Sequence, residues 1–86
     1  MNERDRQILI RLRGEVRLVS QMLDGFELQA FLADERTKRA VCMTLINIGE
    51  LVKNLSDEFR MAHNHIPWRA ISGLRDITAH KYQTLR

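Results

Sequence analysis

Cysteine is nearly absent from the sequence, and its scarcity excludes two classes of small domain. The chain has 86 residues and a single cysteine, Cys42. It can therefore form no internal disulfide, and it lacks the paired cysteines of a zinc finger. One thiol fits a reducing compartment, and we expect Cys42 to be a packed, unreactive side chain.

Long apolar runs are missing as well. No run approaches the ~20 residues that span a bilayer, and seven of the first fifteen residues are charged, which excludes a signal-peptide core at that position. We therefore expect a cytoplasmic protein without membrane contact. Lysine and arginine exceed aspartate and glutamate by 14 to 11, a balance that permits binding to a polyanion without requiring it.

Strand signals are also lacking, because no segment alternates apolar and polar residues over a useful length. Apolar residues instead recur at steps of three and four, which predicts helices. The first stripe, capped by Asn2 and ended by Gly25, contains Ile8, Leu12, Val16, Val19 and Leu23. A short helical stretch within 25–35 follows. We predict an all-α fold, a small antiparallel helical bundle, in a single domain covering residues 1–86.

The longest periodic pattern predicts one helix that starts after Asp34 as its cap. Its stripe consists of Val41, Leu45, Ile48, Val52, Leu55 and Phe59. Gly49 lies within this helix, and we expect it to allow close approach of a neighbouring helix. Further apolar residues lie off the stripe, so the helix is either central in the bundle or meets another subunit. Oligomerisation is a common remedy for the marginal core of so short a chain.

Pro67 suits the first turn of a last helix, whose inward face would be formed by Trp68, Ile71, Leu74 and Thr78. We expect Trp68 to be a core or interface anchor whose indole N–H finds a partner.

That last helix would carry the stretch RDITAHKY, residues 75–82. On a straight helix Asp76 and His80 are neighbours, whereas Arg75 and His80 point about 140° apart. Arg75 and His80 can cooperate only if the helix ends or bends near His80, or if a two-fold axis brings two copies together.

An arginine and a histidine gathered in one cleft can cleave RNA without a metal or cofactor. An imidazole can remove a proton from a 2′-hydroxyl or give one to the leaving 5′-oxygen. A guanidinium can hold two phosphate oxygens as negative charge develops. Asp76 would orient the imidazole of His80, and Tyr82 would position phosphate or carry a modification. The same residues on an ordinary solvated helix would have no function, and spacing alone does not separate the two interpretations.

Other polar residues offer weaker signals. Arg36, Lys38 and Arg39 form a short basic run, predicted as the exposed start of the long helix, where a secondary RNA contact is possible. His63 and His65 form a His-x-His pair at the predicted end of that helix. No third ligand accompanies them, so we predict solvated histidines and no metal site.

The motif Arg75-x4-His80-x-Tyr82 is similar to the R-x4-H-x-Y signature of HepT-like proteins in the HEPN superfamily. The bare motif has low specificity. Three further stretches also look characteristic of that family, and all four in order are highly specific. They are FLADERTKRAV (31–41), IGELVKNLSDEFR (48–60) and IPWRAISGLRD (66–76).

The resemblance implies a helical bundle that forms a homodimer or higher homo-oligomer, with the motifs at a shared cleft. It implies a metal-independent endoribonuclease, the toxin of a toxin–antitoxin pair, with Arg75 and His80 catalytic and Asp76 supporting. The partner would be a minimal nucleotidyltransferase (MntA-like) that silences the toxin by adenylylating Tyr82. Negative charge and bulk would then lie beside the arginine where an RNA phosphate should bind.

The sequence departs from the family pattern at three points. Asp76 stands where relatives often have asparagine, and Lys81, a possible RNA contact, stands where they often have glycine. The sequence ends four residues after Tyr82, so we expect it to lack a C-terminal helix present in relatives. Two rival functions remain: an inactive helical dimer that binds a nucleotidyltransferase, and a purely structural oligomerisation domain.

Overall fold

The computed structural model describes residues 1–77, and every regular element in this part of the chain is helical. The five α-helices are α1 (Glu3–Leu23), α2 (Leu28–Ala33), α3 (Glu35–Lys53), α4 (Asp57–Ala62) and α5 (Trp68–Ser72), followed by a 3-10 helix (Gly73–Asp76). The all-α prediction is therefore confirmed for these residues. None of the helices described is both long and apolar enough to cross a membrane.

Helix α1 begins and ends where the sequence predicts. The side chain of Asn2 accepts a hydrogen bond from the backbone N–H three residues later at 2.6 Å, as an N-cap does. Beyond the other end, Gly25 has a φ of 79°, a left-handed conformation that glycine adopts without steric cost. Local hydrogen bonding and backbone freedom thus set both boundaries.

The apolar stripe of α1 is only partly buried. Ile8 belongs to the core, but Val16 and Leu23 are exposed by 47% and 38%, so their predicted place in the core is wrong. Helical geometry puts Val16 about 80° around the helix from Ile8, at the border of the face that packs on α3. Leu23 is the last residue of the helix, where packing against α3 gives way to the turn.

Helix α3 is central, as its apolar pattern predicts. It packs against α1, α2, α5 and the 3-10 helix. Its side chains also dominate the apolar core, which consists of Ile8, Val41, Cys42, Ile48, Val52 and Leu55. The predicted packed thiol is confirmed: Cys42 is buried, and burial raises its pKa, an effect that nearby Lys38 partly opposes.

The predicted long helix is in fact two helices. Asp34 caps α3 as expected, by accepting from the backbone N–H of Thr37 at 3.0 Å. The helix ends at Lys53, with Asn54 as its C-cap, rather than continuing to Phe59. Ser56 then adopts an extended backbone and caps α4 by accepting from the N–H of Phe59 at 3.1 Å.

A buried carboxylate holds the break between α3 and α4 in place. Asp5 of α1 is 2% exposed and accepts from both the backbone N–H and the hydroxyl of Ser56, at 2.9 and 2.6 Å. These two hydrogen bonds lower the pKa of Asp5. Because they join the start of α1 to the end of α3, the two long helices lie antiparallel.

The last predicted helix is also interrupted. Pro67 lies at the N-cap of α5 rather than inside its first turn, and α5 passes into the 3-10 helix at Gly73. The 3-10 helix ends at Asp76, because Ile77 has an extended backbone with ψ of 117°. Trp68, half-buried, donates its indole N–H to the carbonyls of Arg60 and His63, which confirms the expected partner.

Candidate functional site

The backbone of Arg75 lies directly against the central helix at Gly49. A β-carbon placed on Gly49 would lie 2.4 Å from the backbone nitrogen of Arg75 and 3.0 Å from the carbonyl oxygen of Ser72. Only glycine permits this approach, which confirms the role expected for Gly49. The contact fixes the position of the 3-10 helix on α3 and, with it, the start of the Arg75 side chain.

The guanidinium group of Arg75 is held by the next residue of α3. Its Nη1 donates to Oε2 of Glu50 at 3.3 Å. Its Nε lies 3.9 Å from a carboxylate oxygen of Asp76. The Arg75 side chain is 38% exposed, so it is anchored by its partners and still open to a ligand from solvent.

The geometry predicted from a straight last helix is wrong. Asp76 ends the 3-10 helix and Ile77 is extended, so the four-residue helical spacing between Asp76 and His80 does not apply. The angle of about 140° between Arg75 and His80, which also assumes a continuous helix, does not apply either. Whether Arg75 and His80 cooperate stays a prediction. His80, Lys81 and Tyr82 lie outside the described residues.

The basic run at the start of α3 divides between surface and interior. Arg36 and Arg39 are exposed, as predicted, but Lys38 is only 2% exposed, so its predicted place on an exposed face is wrong. Lys38 lies eleven residues before Gly49, which puts it about 20° away on the same face of α3, the face that packs inward.

Ion pairing accompanies the burial of Lys38. Its ammonium group lies 3.0 Å from one oxygen of Glu35, whose other oxygen is 3.5 Å from the guanidinium of Arg39. A lysine is seldom fully buried unless it is paired. Lys38 therefore belongs to the packed interior at this end of α3, rather than to an open surface for RNA.

His63 and His65, the His-x-His pair, lie on either side of the turn after α4. His63 is the C-cap of α4, and its ring is tilted by 39° to that of Phe59 with the ring centroids 4.5 Å apart. The ring centroids of His63 and His65 lie 6.3 Å apart. Both are exposed. Within residues 1–77 no group of three or more histidine, cysteine, aspartate or glutamate side chains is placed to hold a metal ion.

A cavity of about 240 Å³ lies between the start of α1 and α4, and its lining includes Asp5, Ser56, Phe59 and His63. Neither Arg75 nor Asp76 lines it. The carboxylate of Asp5 is already engaged by Ser56 and is therefore not free to bind a ligand in this cavity.

Sequence reasoning missed Glu50, the residue that holds the candidate arginine. It stands beside Gly49 in the sequence. A glycine that lets a neighbouring helix approach also brings that neighbour's side chains within reach of the next residue on the helix. The adjacent Gly49-Glu50 pair was therefore the available signal.

Comparison with known proteins identifies the class to which this architecture belongs. The family model described as ribonuclease HepT-like matches residues 12–86. A protein named "Putative RNase" from Caldanaerobacter subterraneus subsp. tengcongensis is 36% identical over 77 residues, 90% of this chain and 69% of its own length. One named "Probable ribonuclease HepT" from Thermococcus cleftensis is 34% identical over 67 residues, 78% of this chain and 61% of its own length.

A protein named "Putative RNase" from Methanocaldococcus jannaschii is 42% identical over 52 residues, 60% of this chain and 43% of its own length. A search of solved structures found no significant match. The match to the family model covers most of the chain, including all of 75–82. The chain belongs to the ribonuclease HepT-like family, and the resemblance seen in the sequence is confirmed.

Proposed function

We propose that this protein is a metal-independent endoribonuclease that cleaves RNA at a cleft between two identical subunits. The observation that carries the proposal is the family match over residues 12–86, which spans the whole of Arg75-x4-His80-x-Tyr82. It is supported by the placement of Arg75, whose backbone is fixed at Gly49 and whose guanidinium remains partly open to solvent.

The chemistry requires a proton acceptor, a proton donor and a fixed positive charge. His80 accepts the proton of the 2′-hydroxyl, whose oxygen attacks the adjacent phosphorus while the bond to the 5′-oxygen breaks. A protonated imidazole, from the same residue in the partner subunit, returns a proton to that leaving oxygen. Arg75 holds the phosphate oxygens as charge develops on them. The products are a 2′,3′-cyclic phosphate and a 5′-hydroxyl end.

Pairing of two subunits supplies the second histidine and the second arginine. Exposed Met43 on α3, at 58%, supports a further contact on the face of that helix that turns away from the core. Arg36 and Arg39, exposed near the start of the same helix, and Lys81 in the motif would add contacts to the RNA backbone.

The protein would act as the toxin of a toxin–antitoxin pair. A minimal nucleotidyltransferase (MntA-like) would silence it by transferring AMP from ATP to the hydroxyl of Tyr82, with release of pyrophosphate. The bound AMP carries a phosphate, and its negative charge would compete with RNA for Arg75.

Replacement of the motif histidine tests the enzymatic proposal. The wild type should cleave RNA in the presence of EDTA, and His80→Ala should not. The far-UV circular dichroism and the oligomeric mass of the variant should match those of the wild type. His65→Ala is the matched control, because His65 is an exposed histidine outside the motif, and it should cleave at the wild-type rate. Equal cleavage by the His80→Ala dimer would refute the proposal and favour a binding partner of the nucleotidyltransferase.

Mass spectrometry tests the modification. The protein is co-expressed with a minimal nucleotidyltransferase from its genomic neighbourhood, and the wild type should gain AMP while Tyr82→Phe should not. A Tyr82→Phe protein that still gains AMP would exclude Tyr82 as the sole site of modification.

A further inference from the structure

Two consecutive residues of α3 fix Arg75 at both ends. The backbone of Arg75 packs against Gly49: its backbone nitrogen lies 2.4 Å from the position that a β-carbon on Gly49 would occupy. The side chain of Arg75 is bound by Glu50, whose Oε2 accepts a hydrogen bond from Nη1 at 3.3 Å. The arginine is thus restrained at both ends of its flexible side chain by a helix that belongs to the core.

This arrangement leaves part of the guanidinium available. Glu50 accepts from Nη1, Asp76 lies near Nε, and the Arg75 side chain is 38% exposed. Because the guanidinium is planar and its five N–H groups are fixed in direction, holding Nη1 sets where the remaining donors point.

We infer that Glu50 is a positioning residue for the proposed ribonuclease reaction: it orients the guanidinium of Arg75 so that its remaining N–H groups meet the RNA phosphate. The inference rests on the proposed function, because it assigns Arg75 to the phosphate. Glu50 itself does not touch the reacting atoms.

The role makes an unusual kinetic prediction, because Glu50 is also a negative charge close to the place where phosphate binds. Like charges repel, and an exposed pair a few ångströms apart still interacts appreciably in water. Removing the charge should therefore help RNA to bind while it lets the arginine lose its orientation. A purely structural residue would not separate these two effects.

The test measures kcat and KM for a short single-stranded RNA with wild type, Glu50→Gln, Glu50→Ala and Glu50→Asp. We expect kcat to fall about 10- to 100-fold in Glu50→Ala, the loss typical of a misplaced catalytic group, while KM stays unchanged or falls a few-fold. Glu50→Asp keeps the charge and should recover part of kcat. Glu27→Gln, which removes an exposed carboxylate that makes no cap bond, should behave as wild type.

A second measurement follows the arginine directly. In ¹⁵N-labelled protein, the Nη1–H signal of Arg75, the group that donates to Glu50, should be resolved and slow to exchange in the wild type, and averaged by fast exchange and rotation in Glu50→Ala. Wild-type kcat in Glu50→Ala, or an unchanged Arg75 resonance, would overturn the positioning role. If wild type itself cleaves no RNA, the proposed function fails, and the resonance still decides whether Glu50 holds the arginine.

Discussion

Replacing Gly49 by alanine tests the close approach of the 3-10 helix to α3. The added methyl group would lie 2.4 Å from the backbone nitrogen of Arg75, 3.0 Å from the oxygen of Ser72 and 3.1 Å from the carbonyl carbon of Leu74. All three atoms are backbone, so none can move aside by rotating a side chain. The 3-10 helix must instead shift away from α3.

Two opposing effects determine how much Gly49→Ala changes the free energy of unfolding. Alanine is a better helix former than glycine by about 1 kcal/mol, and forcing an extra carbon into a packed interface costs about 1–3 kcal/mol, occasionally more. Because the clash is with backbone, we expect a cost near or above the top of that range and a net loss of about 2 kcal/mol. For a domain of this size that lowers Tm by roughly 8–16 °C.

The matched control is Gly14→Ala in the middle of α1, where nothing lies within 4 Å of the added carbon. It gains helix propensity without a clash and should stabilise the protein by up to about 1 kcal/mol. Urea unfolding followed by circular dichroism measures both variants, and Gly49→Ala should also lose RNA cleavage as Arg75 moves. If the two substitutions stabilise the protein equally, the close approach at Gly49 is refuted.

Three further predictions concern other parts of the core. In the folded protein the pKa of Asp5 lies below its ordinary value of 3.8. The hydrogen bonds to Ser56 therefore stabilise the fold fully above pH 3.8, and this stabilisation is lost as the pH falls through the pKa of the folded state. Asp5→Asn should therefore be less stable at neutral pH, with a gap to wild type that narrows in acid; urea titrations showing a constant gap would contradict this. Cys42, buried and with a raised pKa, should react slowly with a thiol reagent until urea unfolds the protein, and rapid labelling of the native state would show that the thiol is accessible. Trp68→Phe leaves two carbonyls without their shared donor and should cost about 1 kcal/mol by urea unfolding; an unchanged midpoint would mean that water replaces the indole.

The features predicted correctly from sequence are those that depend on neighbours in the chain. Asn2 and Asp34 cap helices by bonding to a backbone N–H three residues later, and Gly25 ends α1 through its own conformational freedom. Gly49 was predicted because glycine is costly inside a helix and needs a reason to be there. Each of these signals can be read within a few residues.

The features that sequence reasoning missed depend on distant partners. The chain breaks between α3 and α4 where Ser56 bonds to Asp5, 51 positions away, yet the apolar spacing runs through the break without a sign of it. Lys38 has the charge of a surface residue and lies on the inward face beside Glu35. For Arg75, spacing predicted a continuous helix, whereas extended Ile77 ends it.

The adjacent anchors at Gly49 and Glu50 tie the proposed chemistry of Arg75 to the folding of the central helix. If the arginine lay on a loop, nearby substitutions could change the orientation of its guanidinium without affecting the rest of the molecule. Here the guanidinium takes its orientation from the same helix that organises the interior. Substitutions that loosen the packing of α3 should therefore weaken the proposed RNA cleavage before they unfold the chain.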